Sequence, residues 1–506
     1  MKFMRNKINL LVIIVSLVCF SSCKKTYLTR DPYTAVPLGS AIKSEADLSV
    51  ALGGVYAGLR NIDLFGRSLP VKGDLQADNS YITTSNSNRY ITMNNFTMTS
   101  VDGVAAGTWA GGYIVIKNAN NLIKASAGVA NTANVNQYVG EAYAVRALAY
   151  FELVRNFAQP FTVSPNGDGV PIVSDSLTFD QTITNYKPAR NTVAQVYSKV
   201  INDLEKAYSL MTLYRGTAFM SKYAARALEA RVYQNMGDWV NAKATSLDVI
   251  NNSGWVLLAP TAYVSPTGTL GGSSAASSLN TYSPGGYWAS PAVQTASKNE
   301  TLFEVSSDLL SNNGFDQLGF IYLQVGGGYG DVLGTQQLYD LYSASDVRRG
   351  LIPLAPAGYR GGQAGNVFLN YKYSNPANGT DKDDTKVLRL SDIMLIAAES
   401  YYNTGDIVNA NLYLNKVAKQ RDPLFAGYAN VGAQVLEDIL TERRKELAFE
   451  GQRLFDLLRL QRSWTKVRNQ NPLLTITVSP NNPQLIFPIP QGERDANPNM
   501  SQNAGY

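Results

Sequence analysis

The chain has 506 residues, 45% of them hydrophobic and 16% charged, a composition that supports a large buried core and is far from that of a disordered protein. Its 44 Lys and Arg against 39 Asp and Glu are too evenly balanced for a nucleic-acid partner, whose phosphates call for a concentrated basic surface. Histidine is absent; with the usual neutral-pH base and the commonest metal ligand both missing, histidine-dependent triads and histidine–zinc centres are excluded.

Lys2, Arg5 and Lys7 precede an apolar run from Ile8 to Phe20 and then Ser21-Ser22-Cys23. This pattern predicts a leader over residues 1–22, cleaved before Cys23, and the run is too short for a comfortable membrane span. Cys23 becomes the mature N-terminus and the site of lipid attachment, as in bacterial lipoproteins. Each buried methylene of an acyl chain contributes about 0.8 kcal/mol, so several chains hold a protein at a bilayer essentially permanently. Only Cys19 and Cys23 exist, and Cys19 leaves with the leader, so the mature chain forms no internal disulfide. No Pro/Gly/Ser linker separates two cores, and residues 23–506 read as one domain.

A polar stretch from Asp74 to Val101 reads as a loop, followed by helices from Asn118 to Lys124 and from Glu141 to Asn156. Thr192 and Gln195 make a capping box for a helix from Val193 to Met211, where Val193, Val196, Val200, Leu204, Ala207 and Met211 recur at three- and four-residue spacing. Residues 230–242 then align without gaps to residues 398–410. In both, an apolar stripe ends at a glycine, Gly237 or Gly405, and an aspartate, Asp238 or Asp406, opens a second helix. Such repeated hairpins predict a mainly α fold, a superhelical scaffold of tetratricopeptide-like pairs with long loop-rich insertions and few short strands. The insertions include residues 260–297 and 312–378, and loops of that length are more often functional or disordered than idle. A helix from Val435 to about Arg462 carries Glu442-Arg443-Arg444-Lys445-Glu446-Leu447, read as a solvated or pairing face. The last forty residues, rich in proline, are expected to wrap over the helices.

Several signatures in this order resemble the SusD/RagB family over nearly the whole mature chain: Cys23 with Tyr27-Leu28; Trp109 with Asn118-Ala119-Asn120; and Glu141-Ala142-Tyr143-Ala144-Val145-Arg146-Ala147. They continue through residues 389–399 and 442–453, Phe487-Pro488-Ile489-Pro490, and residues 497–506. The resemblance implies an outer-membrane, lipid-anchored protein facing the exterior, with four tetratricopeptide-like hairpins, acting as a lid on a SusC-like TonB-dependent transporter. It implies capture of oligosaccharide, or in some members of peptide, without catalysis; no cofactor or metal is expected from the residues themselves. A pure interaction scaffold and, with less support, a surface glycosidase are the competing readings.

A carbohydrate binder needs flat aromatic faces for sugar rings and amide or carboxylate groups for hydroxyls. Asp78, Asn79, Tyr81, Asn88, Arg89 and Tyr90 cluster in the first loop; Tyr263, Tyr282, Tyr287 and Trp288 cluster in the second. The expected ligand-binding residues are Asn79, Tyr81, Tyr90, Tyr282, Tyr287 and Trp288, against the plainer reading that such aromatics anchor loops to helices. Trp239 reads as core. Gly326-Gly327-Gly328-Tyr329-Gly330 lacks the Lys-Ser/Thr of a phosphate cradle and reads as a flexible loop. Asp381, Asp383 and Asp384 lack the rest of a calcium loop and read as a solvated acidic turn.

Overall fold

A computed structural model describes residues 42–174, 186–272, 277–288, 299–356, 359, 366–374, 383–470 and 473–506. The expected leader and Cys23 lie outside the described residues, as do Asp381 and Pro472.

The fold is mainly α, and several of its helices start where a side chain holds their free N–H groups. Ser44 and Asp47 close a capping box on α1, Glu45–Leu59. Helix α2, Ser68–Leu75, is buried along its whole length. Asp102 caps α3, Gly103–Ser126, and Thr132 caps α4, Ala133–Phe157. Both are longer than expected. The glycines that weaken the helical signal in α3 are there for packing: a Cβ on Gly112 would lie 2.8 Å from Leu153 Cδ2. Helix α5, Val193–Leu210, opens on the Thr192–Gln195 box.

The repeat folds as two equivalent hairpins: α6, Lys222–Met236, with α7, Trp239–Asn252, and α8, Leu390–Asn403, with α9, Ile407–Arg421. Gly237 and Gly405 have φ of 74° and 84°, conformations that glycine adopts at little cost. Asp238 and Asp406 then accept from the N–H of Asn241 and Asn409, at 3.2 and 3.0 Å. Trp239 is half-buried, 5.8 Å from the Arg459 guanidinium, between core and surface.

Among the described residues, three antiparallel two-stranded ladders accompany the helices. Strand β1, Ser80–Ile82, pairs with β3, Val332–Gly334. Strand β2, Thr301–Val305, pairs with β4, Thr385–Arg389. Trp464–Gln470, β5, pairs with β6, Leu473–Val478.

The long helix expected from Val435 to Arg462 is two helices, α10, Gln434–Glu446, and α11, Arg453–Arg459. Tertiary contact breaks it: Gly451, with φ of 76°, seats its backbone against Gly73, and its N–H donates to Asp74 at 2.8 Å. Of the two readings of the charged run, pairing holds and solvation does not: Glu442, Arg443 and Glu446 are buried in ion pairs. Glu446 receives Arg348, Arg389 and Arg421; Glu300 receives Arg389 and Arg421; and Glu450 receives Lys372 and Arg389. Arg348 and Lys445 both meet Asp346 and Glu442, so five cations face five carboxylates. Such neutrality is what lets ionised groups stay buried. A second buried pair joins Arg146 bidentately to Asp203 at 2.8 Å, with Asn120 on a further nitrogen.

The C-terminal residues wrap over the helices as expected: Phe487 N–H donates to Asn156 O at 2.7 Å, and Arg190 reaches Asn503 at 2.9 Å. The glycine run is an ordered turn, because Tyr329 and Gly330 both donate to Phe320 O. Asp383 is buried, and Asp384 accepts from Ser307 N–H, so these two are fixed rather than solvated.

Candidate functional site

The loop leaving β1 and the segment entering β3 are brought together by the antiparallel register, in which Tyr81 lies opposite Leu333. Thr83 N–H donates to Asp331 O at 2.9 Å, and the Asp331 carboxylate accepts from Ser87 N–H and its hydroxyl. The loop is thereby fixed, with Asn88 exposed and Arg89 partly so at its tip.

The Arg89 guanidinium lies 3.7 Å from the centre of the Tyr329 ring and donates to its hydroxyl at 2.9 Å. Its other nitrogen donates to Ser87 Oγ at 3.0 Å. Asp316 stands 3.7 Å from Arg89 and 2.5 Å from Arg67. Arg67 in turn donates through Nε to the Tyr90 hydroxyl at 2.7 Å. Burial raises the Tyr90 phenol above its ordinary range, with Arg67 opposing the shift, so the hydroxyl stays neutral as acceptor. Beside this charged row Phe315 is 60% exposed and tilted against Phe320 at 5.3 Å. Gly326 and Gly327, with φ of 61° and 88°, form the turn next to it, and even a Cβ on Gly327 would come within 3.6 Å of the ring.

The surface thus offers a free aromatic face, a second ring under a guanidinium, a half-exposed carboxylate and an exposed amide. Such a set can stack on an apolar ring face while exchanging hydrogen bonds with hydroxyl groups.

Of the six residues expected to bind ligand, the structure brings only Tyr90 to this place, behind Arg67 rather than at the surface. Asn79 is fully buried and bonded to Asp74 and Arg444. Tyr81 is fully buried in β1. Tyr287 and Trp288 are buried with Tyr263, Tyr263 and Tyr287 stacked at 5.7 Å and Trp288 edge-on to both. Their faces are taken by the protein's own cations: Arg421 lies 3.6 Å over Tyr263, Lys386 4.9 Å over Tyr287, and Lys372 4.7 Å over Trp288. None of Tyr81, Tyr287 and Trp288 therefore presents a ring to solvent. Tyr282 is half-buried apart from the others, edge-on to Tyr371 at 4.8 Å and donating to Gly350 O. Asn88 and Arg89 belonged to the first-loop cluster in the sequence; Phe315 and Asp316 carried no signal beyond lying in a long insertion.

The profile of the SusD family matches residues 178–506, and a second profile, described as starch-binding and associating with the outer membrane, matches residues 26–234. The chain is 27% identical to SusD-like protein P2 of Formosa agariphila, over 99% of both chains. It is similar to a solved SusD superfamily protein of Bacteroides vulgatus, with 28% identity, TM-score 0.77 and coverage of 92% and 99% of the two chains. A solved SusD superfamily protein of Bacteroides thetaiotaomicron is 26% identical, with TM-score 0.77 and coverage of 91% and 99%.

Proposed function

The chain belongs to the SusD family, and from that premise we propose that it captures extracellular oligosaccharide at the outer membrane through the Phe315–Tyr329–Arg89–Asp316 surface. The observation that carries this reading is the exposed Phe315 ring beside a charged row that is already positioned. A sugar stacked on Phe315 would place its hydroxyls within reach of Asp316, Arg89 and Asn88. The description of the second profile, starch-binding and associating with the outer membrane, supports the same ligand class and location.

In this reading Cys23 carries the lipid anchor of a single domain over residues 23–506, the protein faces the exterior, and a SusC-like TonB-dependent transporter receives the ligand. In this reading capture proceeds without turnover, with Asp316 held by Arg67 as a hydrogen-bond acceptor for the ligand. Tyr90 acts by holding Arg67, while Asn79, Tyr81, Tyr287 and Trp288 act by holding the loops in place.

Calorimetric titration of the mature chain, made as Cys23→Ala, against a panel of purified oligosaccharides tests this, with product analysis of each mixture. Saturable binding without breakdown, weakened by Phe315→Ala, is the expected result. A panel without binding would sink the glycan reading in favour of peptide capture or a scaffold, and breakdown of a sugar would sink the non-catalytic one.

A further inference from the structure

Away from that surface, the β5–β6 hairpin is fastened along one side only. Lys466 Nζ on β5 is buried and donates to the carbonyls of Leu75 and Ser80. Trp464 Nε1 donates to Gln76 O at 3.2 Å, and Arg468 donates to Asn95 Oδ1. Strand β5 is thereby fixed against α2, β1 and the loop that follows β1. Strand β6 stands outside it. Its inner edge pairs with β5 from Leu473 to Val478, and among the described residues no strand lies along its outer edge. Nor, among those residues, does any backbone group of residues 473–478 bond to backbone beyond the ladder.

An open edge is a template for another strand, and folded proteins ordinarily blunt one with a lysine, a proline, a bulge or a very short strand. None of these devices is present in β6, which is six residues long. The irregularity in the ladder is an extra residue, Arg468, on β5, so β6 runs unbroken. Its sequence, Leu473-Leu474-Thr475-Ile476-Thr477-Val478, is apolar or β-branched throughout, a composition suited to pairing. Leu473 and Leu474 are 57% and 55% exposed, and Thr475 and Thr477 are exposed as well. No Lys, Arg, Asp or Glu occurs from Asn469 to Gly492, a long uncharged run in a chain of which 16% is charged.

We propose that β6 is a docking edge for a second copy of this chain, the two β6 strands pairing antiparallel across a two-fold axis. Only an extended backbone presents donors and acceptors at the spacing of the free edge. Among extended partners the same strand fits. Side chains without charge meet their own copies without repulsion, whereas a charged strand would lose hydration there with nothing to pair. Two-fold pairing also closes at two copies, which leaves no edge to grow from. The paired strands are short, so the interface is smaller than that of a permanent dimer and the association is weak and reversible.

Sedimentation of the Cys23→Ala chain over a range of concentrations tests this, and a monomer–dimer equilibrium is the expected result. Thr475 lies near the middle of β6, so Thr475→Lys or Thr475→Asp sets like charges close together across the axis and weakens the dimer by at least about fivefold. An equimolar mixture of these two variants associates again, and thermal unfolding of each matches the parent. On oxidation, Thr475→Cys in the same chain cross-links to its own copy, whereas Val101→Cys, at a position 74% exposed, does not. A chain that stays monomeric at every concentration, a dimer as tight in Thr475→Lys as in the parent, a mixture that fails to associate, or a Thr475→Cys chain that does not cross-link overturns the proposal. Phe315→Ala dimerises like the parent, which separates this edge from the glycan surface.

Discussion

Two clusters in this protein combine aromatic rings with cations, and they do opposite things. In one, Tyr263, Tyr287 and Trp288 are fully buried beneath Arg421, Lys386 and Lys372, which are tied to the carboxylates of the central network or packed beside it. In the other, Tyr329 lies under Arg89, and Phe315 beside it stays open to solvent. Ring and guanidinium are the same parts in both. Burial decides their use: in the interior a cation–π contact strengthens because the charge is desolvated, and it serves stability, whereas at the surface the same pairing leaves a ring edge and spare donors for a ligand.

The difference predicts which substitutions unfold the chain and which only empty its surface. Glu446→Gln leaves three arginines short of a shared carboxylate, and it is expected to cost about 3–5 kcal/mol, the range for breaking a buried ion pair, read as a loss in urea midpoint. Trp288→Ala should cost a similar 3–5 kcal/mol from cavity and lost packing; glycan affinity measured on the folded fraction should hold. If Trp288→Ala instead abolished binding with stability intact, the two clusters would have to be exchanged. Phe315→Ala should do the reverse, lowering glycan affinity by about tenfold while shifting stability by no more than about 0.5 kcal/mol.

Acid should separate the regions too. Burial alone would raise the carboxyls of Asp78 and Asp456, but Arg453 and Arg444 outweigh it at Asp78, as Arg443 and Arg459 do at Asp456, and both fall to about 2. Their folded values lie below the unfolded value of about 3.9, so their stabilisation is present above pH ~4 and is lost as pH falls towards 2. Asp78→Asn should flatten that part of the acid limb of a stability–pH curve; an unchanged slope would argue that Asp78 is not linked. The smallest loss of glycan affinity is expected from Tyr90→Phe, which removes the acceptor of Arg67 Nε: a few-fold through Asp316, with about 1 kcal/mol of stability.

Much of the frame was legible in the chain. The Thr192–Gln195 box, the Gly-Asp turns at 237–238 and 405–406 and the apolar spacing of α5 are local signals, decided by residues within a few positions of one another. The helix break at 447–452 was not, because its cause is the contact of Gly451 with Gly73 and Asp74, more than 370 residues away in sequence. The proposed binding surface was half legible: the first loop drew notice for its polar and aromatic residues, yet within it the tyrosines turned inward and Asn88 and Arg89 outward.

Sequence alone therefore determined the helical hairpins, the family likeness and which segments are insertions, since periodicity, caps and turn residues act over short range. Only the tertiary structure decided which aromatics are walls and which are faces. That choice depends on the partner each ring meets from distant parts of the chain: carboxylate-bound cations in the interior, or water beside Arg89 and Asp316.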